Sequence, residues 1–82
     1  MKRSIWHSDY QSLRQVLKQI RLEAGYTQTE LALKLEKPQS FVAKYENGDR
    51  NLDFLEVLDI CQLCGISADM FIQRYQTLRK TH

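Results

Sequence analysis

The feature that most limits the fold is the stretch TQTELALKLEKPQSFVAKYENG, from Thr27 to Gly48. It holds two runs with helical spacing, separated only by Glu36, Lys37 and Pro38. Thr27 can cap the first run, with Glu30 at the reciprocal position of a capping box. Leu31, Ala32 and Leu35 then share one face. Pro38 marks the start of the second run, where a missing N–H removes nothing that a helix uses. Asn47-Gly48 is a turn signal that ends it. Helices of about eight residues do not persist in water by themselves. Two of them joined by a turn of about three or four residues form a helix-turn-helix, and such a pair needs other helices to pack on.

The rest of the chain supplies those helices. Ser8 can cap a first helix, with Gln11 in the capping-box position. Leu13, Val16, Leu17, Ile20 and Ala24 form its apolar stripe, and Gly25 ends it. Asn51 or Asp53 can cap a fourth helix that runs to Cys64 and stops at Gly65. Its apolar residues (Phe54, Leu55, Val57, Leu58, Ile60, Cys61 and Leu63) lie around most of the circumference, so it is expected to be covered on most sides. Ser67 caps a fifth helix carrying Phe71, Ile72, Tyr75 and Leu78. Period-two alternation is nowhere sustained. The expected fold is all-α, with five helices in a single domain over residues 1–82 and a core from about residue 8 to 80. Three glycines and one proline in 82 residues leave no linker or low-complexity segment.

A net charge of +2 permits a nucleic-acid partner without requiring one, because the placement of Lys and Arg matters more than their sum. No apolar run approaches the roughly 20 residues of a membrane span. MKRSIWHSDY has neither the apolar stretch nor the cleavage site of a signal peptide, and the expected location is cytoplasmic. Cys61 and Cys64 form one CxxC inside a helical pattern. Zinc would need two further ligands, and His7 and His82 lie at the chain ends. A redox CxxC usually opens a helix after a strand, and no strand precedes this one. The cysteines therefore read as reduced core residues, and neither a metal nor a cofactor is expected. No spacing proposes a Ser-His-Asp triad, a Gly-rich phosphate loop or a carboxylate pair, so an enzyme is not expected.

The second short helix carries the functional signal. On a wheel of about 100° per residue, Val42 and Tyr45 fall on one side. Gln39, Ser40, Ala43, Lys44 and Asn47 fall within one arc on the other. A solvated face usually mixes both signs of charge, whereas this arc holds no carboxylate. Gln can pair with adenine, Lys with guanine O6 and N7, and Ser with several base edges, while Ala43 allows close approach.

The segments RLEAGYTQTELA, PQSFVAKYENGDR and LCGIS resemble the DNA-binding domain of the phage-repressor family of bacterial regulators, the Xre or lambda-Cro type. The resemblance covers about Leu13 to Phe71 and implies a lambda-repressor-like helix-turn-helix over about residues 28–47. It places Ala32 between the two helices and Val42 as the anchor of the reading helix, Gln39 to Asn47. It implies that Gln39, Ser40, Ala43 and Lys44 face the bases. It further implies that Gln28 touches a phosphate and braces Gln39. Thr27, Gln28, Lys37, Asn47, Arg50 and Asn51 are the candidate phosphate contacts, which position a protein without reading sequence. Arg21 and Glu46 stand where the family often has a buried ion pair. Arg21 either also reaches a phosphate or serves structure alone. The family often has Gly in the turn where this chain has Glu36, and a non-Gly residue held there in a left-handed conformation costs roughly 1 kcal/mol. Leu33 points away from the expected core.

The resemblance implies a sequence-specific transcriptional regulator, a repressor that occupies operator DNA as a homodimer. Met70, Phe71, Tyr75 and Leu78 are the candidate pairing residues: the last two helices carry more apolar residues than one small core needs, so some of the four are expected to fold onto the first helix and the remainder to meet a second subunit. Lys2 and Arg3 could form an arm that enters the minor groove, and Ile5 and Trp6 could staple the first helix. Two other readings stay open: an antitoxin that neutralises a toxin partner and autoregulates through the same motif, and an interaction module that has kept the fold and lost DNA binding.

Overall fold

The computed structural model describes the backbone of residues 2–80 and the side chains of residues 8–79. Five helices occur in that span: α1 (Lys2–Ala24), α2 (Gln28–Lys34), α3 (Phe41–Asn47), α4 (Phe54–Leu63) and α5 (Ala68–Lys80). No strand occurs among the described residues. α1 starts earlier than the sequence suggests. Ser8 lies inside it and is not its cap, because nothing in KRSIWH breaks a helix and the turn simply continues back to Lys2. The side chains of Lys2, Arg3, Ile5, Trp6, His7 and His82 lie outside the described residues, so the arm and the staple are not part of this structure.

The caps largely follow the sequence. Thr27 Oγ1 accepts from the Glu30 N–H at 3.0 Å, and Glu30 Oε1 accepts from the Thr27 N–H at 2.8 Å. Asp53 and Glu56 form the same box at the start of α4. The Ser67 hydroxyl oxygen accepts from the Met70 N–H at 3.2 Å at the start of α5. The first four helices end alike. A residue with positive φ follows each, and two N–H groups reach back across the last turn, as from Glu36 to Leu33 O and from Lys37 to Ala32 O, each at 3.0 Å. Three of these positions are glycines; the fourth is Glu36, at φ 59°. This closure makes the break between α2 and α3 tight enough for two short helices to pack together.

The core draws on all five helices. Val16, Leu17 and Ile20 meet Leu31 and Ala32, then Phe41, Val42 and Tyr45, then Ile60, Cys61 and Phe71. Phe41 is a core residue that the wheel analysis missed. α3 begins at Phe41 and not at Pro38, so Phe41 sits one turn before Tyr45. The two rings meet edge-on, with centroids 5.5 Å apart. Burial pushes the Cys61 thiol up to about 11, and it raises that of half-buried Cys64 as well. Both thiols are free, and a raised pKa disfavours the reactive thiolate.

One expectation about the last helices needs correction. α4 is not covered on most sides: Phe54 and Leu55 are 71% and 68% exposed. They occupy its first turn. The candidate pairing residues are used largely within the chain. Phe71 is in the core, and Tyr75 and Leu78 pack against it, because their i, i+4, i+7 stripe is what seats α5 on α1. Arg79 Nε donates to Asp9 Oδ1 at 2.8 Å and reinforces that seat. Met70 alone of the four remains exposed.

The helix ends yield a paired stability prediction. Glu36→Gly should relieve the left-handed strain and raise stability by up to about 1 kcal/mol, part of the gain being offset by the freer unfolded chain. Gly48→Ala should lower stability by about 1 kcal/mol or more. It would hold Ala at φ 86° and place Cβ 3.1 Å from Arg14 Cζ. Urea melts of both variants check this; a destabilised Glu36→Gly would show that the Glu36 side chain holds something in place.

Candidate nucleic-acid interface

The position of α3 is set from beneath and from its far end. Phe41, Val42 and Tyr45 anchor its inner side in the core. At its last turn, Glu46 accepts from Arg21 Nε at 2.8 Å and from Arg21 Nη2 at 3.2 Å. The same carboxylate accepts from Gln28 Nε2 at 2.9 Å. Arg21 Nη1 donates to the Tyr26 carbonyl at 2.8 Å. The side chains of Arg21 and Glu46 are only 7% and 4% exposed, so this is a buried ion pair whose donors and acceptors are well matched. It ties α1, the turn after it, α2 and α3 together.

The outer side of this assembly carries the residues singled out from the sequence. Gln39 and Ser40 lie in the turn ahead of α3, and the helix starts two residues later than expected. Ser40 adopts φ −85° and ψ 0° and makes no side-chain cap. Its carbonyl accepts from the Lys44 N–H at 2.9 Å, so Ser40 still continues the helical path. Gln39, Ser40, Lys44 and Asn47 are exposed, and Ala43 is half-buried between them. Among the described residues, no hydrogen bond or ion pair engages the side chains of Gln39, Ser40 or Lys44. The arc holds no carboxylate; Glu36 and Asp49 stand in the turns beyond its two ends. Such a face offers an amide, a hydroxyl, a methyl and an ammonium group on a helix anchored from behind, a donor set suited to base edges.

The candidate phosphate contacts divide into two groups. Thr27, Asn47 and Asn51 are exposed around the arc, and Gln28 is half-buried beside it. The Gln28 amide is held by Glu46, so in this structure it does not brace Gln39. Lys37 and Arg50 converge on one carboxylate, that of Glu56. Arg50 donates to both its oxygens at 3.0 Å, and Lys37 Nζ lies 3.5 Å from Oε2. Hydrogen bonds from Arg50 first, then from the Asp53 N–H, hold the Glu56 carboxyl down at about 2, so it is ionised at neutral pH. Both cations also lie over the Phe41 ring, Lys37 Nζ at 5.4 Å and Arg50 Cζ at 4.7 Å from its centroid.

Sequence reasoning did not single out Glu56 or Arg14. The Asp53-x-x-Glu56 spacing was readable as a capping box, but the second use of Glu56 depends on where the loop after α3 returns. Arg14 lies seven residues before Arg21 and so on the same face of α1, against the backbone of Gly48. That spacing was the available signal. Among the described residues, no three metal-ligating side chains come together. No helix among them is long and apolar enough to cross a membrane.

A helix-turn-helix family model (HTH_3) matches residues 17–71. The chain is similar to the solved structure of an XRE-family like protein from Pseudomonas syringae pv. tomato str. DC3000. The two share 38% identity over 94% of each chain, with a TM-score of 0.84. No curated protein matches the chain. The matched segment runs from the middle of α1 into α5 and contains the whole motif around the Glu46 network. With its five-helix lambda-repressor-like fold, this chain belongs to the XRE-type helix-turn-helix family of DNA-binding regulators.

Proposed function

We propose that the protein is a cytoplasmic repressor that binds operator DNA as a homodimer and reads it in the major groove with α3 and the turn before it. The observation that carries this reading is the anchored arc without carboxylates: Gln39 and Ser40 in the turn before α3, and Lys44 on it, are exposed and unengaged, and the inner side of α3 is fixed in the core. Gln39, Ser40, Ala43 and Lys44 face the bases. Thr27, Gln28, Lys37, Asn47, Arg50 and Asn51 line the backbone.

One reading helix spans only a few base pairs, too few to select a site in a genome. Two copies about a two-fold axis place their helices in successive major grooves, about 34 Å apart. Phe54 and Leu55 are the apolar pair placed to join them. They open α4 directly after the loop that carries Arg50 and Asn51, beside the proposed DNA face. Two neighbouring large apolar side chains left about 70% exposed are a stronger signal than the scattered Leu22 and Leu33.

Gel shifts on the DNA upstream of the protein's own gene test the reading. Tight, sequence-selective binding is expected; failure to bind, together with a co-purifying toxin partner, would favour the antitoxin reading. Lys44→Ala and Gln39→Ala should each weaken operator binding by about 1–3 kcal/mol and relax preference at one base position. Equal losses on operator and random DNA would assign both residues to phosphates instead. Sedimentation at micromolar concentration should show a dimer, and Leu55→Asp should give a folded monomer that has lost operator binding. An unmutated monomer that holds its operator tightly would overturn the dimer.

A further inference from the structure

Lys37 and Arg50 reach the proposed DNA face from different segments, the turn before α3 and the loop after it. Neither is left to solvent alone. Their charged groups share the Glu56 carboxylate at 3.0–3.5 Å, and both lie over the Phe41 ring. The carboxylate also accepts from the Asp53 N–H at 3.0 Å. Three nitrogen donors of two cations and one backbone N–H therefore surround a single anion. This donor set would equally suit a backbone phosphate, whose oxygens take the same charge-assisted bonds. The Glu56 side chain is 13% exposed, whereas those of Lys37 and Arg50 are 38% and 40% exposed. The anion is thus the inner member of the cluster, and the cations form its rim.

We propose that Glu56 acts as an internal anion that occupies Lys37 and Arg50 and thereby weakens the protein's grip on DNA backbone. The inference rests on the DNA-binding function proposed above. Contact with a phosphate requires Lys37 and Arg50 to share or exchange their carboxylate, so part of their charge is neutralised before DNA arrives and fewer counterions are displaced when it binds. Phosphates carry no sequence information, so the effect is the same on every sequence. Glu56 lowers the time spent on non-specific DNA while the discrimination made by Gln39 and Lys44 is unchanged. A low carboxyl pKa keeps this restraint in force throughout the neutral range.

The test uses Glu56→Gln, because glutamine also serves at the third position of a capping box and so preserves the start of α4. A short random-sequence duplex is the probe, and binding is followed from low to high salt. Removing the carboxylate should tighten binding about five- to ten-fold near 0.1 M salt and steepen the salt slope by about 0.9, the contribution of one further phosphate contact. Adding Arg50→Gln to Glu56→Gln should return the slope to that of the unmutated protein. Glu56→Ser, with its fold checked by circular dichroism, must change affinity in the same direction. Unchanged or weaker binding by the neutral variants would overturn the proposal; weaker binding would mean that Glu56 orients the cations instead of restraining them. If neither the unmutated protein nor the variants bind any duplex, the DNA-binding reading fails and this inference fails with it. If the unmutated protein binds and Glu56→Gln binds no tighter, only this inference fails.

Discussion

Glu46 receives three side-chain hydrogen bonds in a space that is almost closed to water. A carboxylate placed there alone would be strongly unfavourable, and Arg21 placed there alone would be no better. Together, with Gln28 and the Tyr26 carbonyl taking up neighbouring bonding positions, they are satisfied in one geometry only. That geometry relates three helices, because Arg21 is on α1, Gln28 opens α2 and Glu46 is in the last turn of α3. α2 and α3 have seven residues each, too few to hold a direction by their own backbone bonds. Their orientation comes from the apolar anchors beneath them and from this network at their ends. An interaction that adds little to net stability can still select one arrangement, and here the arrangement fixes where Gln39 to Asn47 point.

Much of this was legible in the sequence, for local reasons. The capping box at Thr27, a cap for α4 at Asn51 or Asp53, glycines just past three helices and the i, i+3, i+4 stripes of α1 and α5 are set by neighbours a few residues away. So were the donor-rich arc and, through family resemblance, the pairing of Arg21 with Glu46. What escaped was tertiary. Phe41, a core residue, was assigned to neither side of the wheel. Phe54 and Leu55 looked like core because an apolar residue does not declare whether anything lies opposite it. Which of Met70, Phe71, Tyr75 and Leu78 seat α5 stayed open, because the area needed to seat it on a long α1 could not be known beforehand. Glu56 was not singled out at all, because its grip on Lys37 and Arg50 spans 19 and 6 residues of sequence.

The structure separates two kinds of polar residue on one face. Arg21, Glu46 and Gln28 are buried or half-buried and bonded to one another, and they shape the scaffold. Gln39, Ser40 and Lys44 are exposed without partners among the described residues, and they are the residues proposed to meet the bases. Lys37, Arg50 and Glu56 are intermediate, half committed to the fold and half facing out. Rigid support behind a face whose donors are still unpaired keeps recognition from competing with internal bonding.

The central claim is that α3 and its flanking turns form the DNA surface while α1, α4 and α5 chiefly support it. Amide chemical-shift changes measured during titration with operator DNA test it most directly. The account predicts that the large changes fall between Thr27 and Asn51 and are strongest from Gln39 to Asn47, with α5 nearly silent away from any subunit contact. Large changes centred on α5 or on the outer face of α1, with Gln39 and Lys44 unmoved, would contradict it.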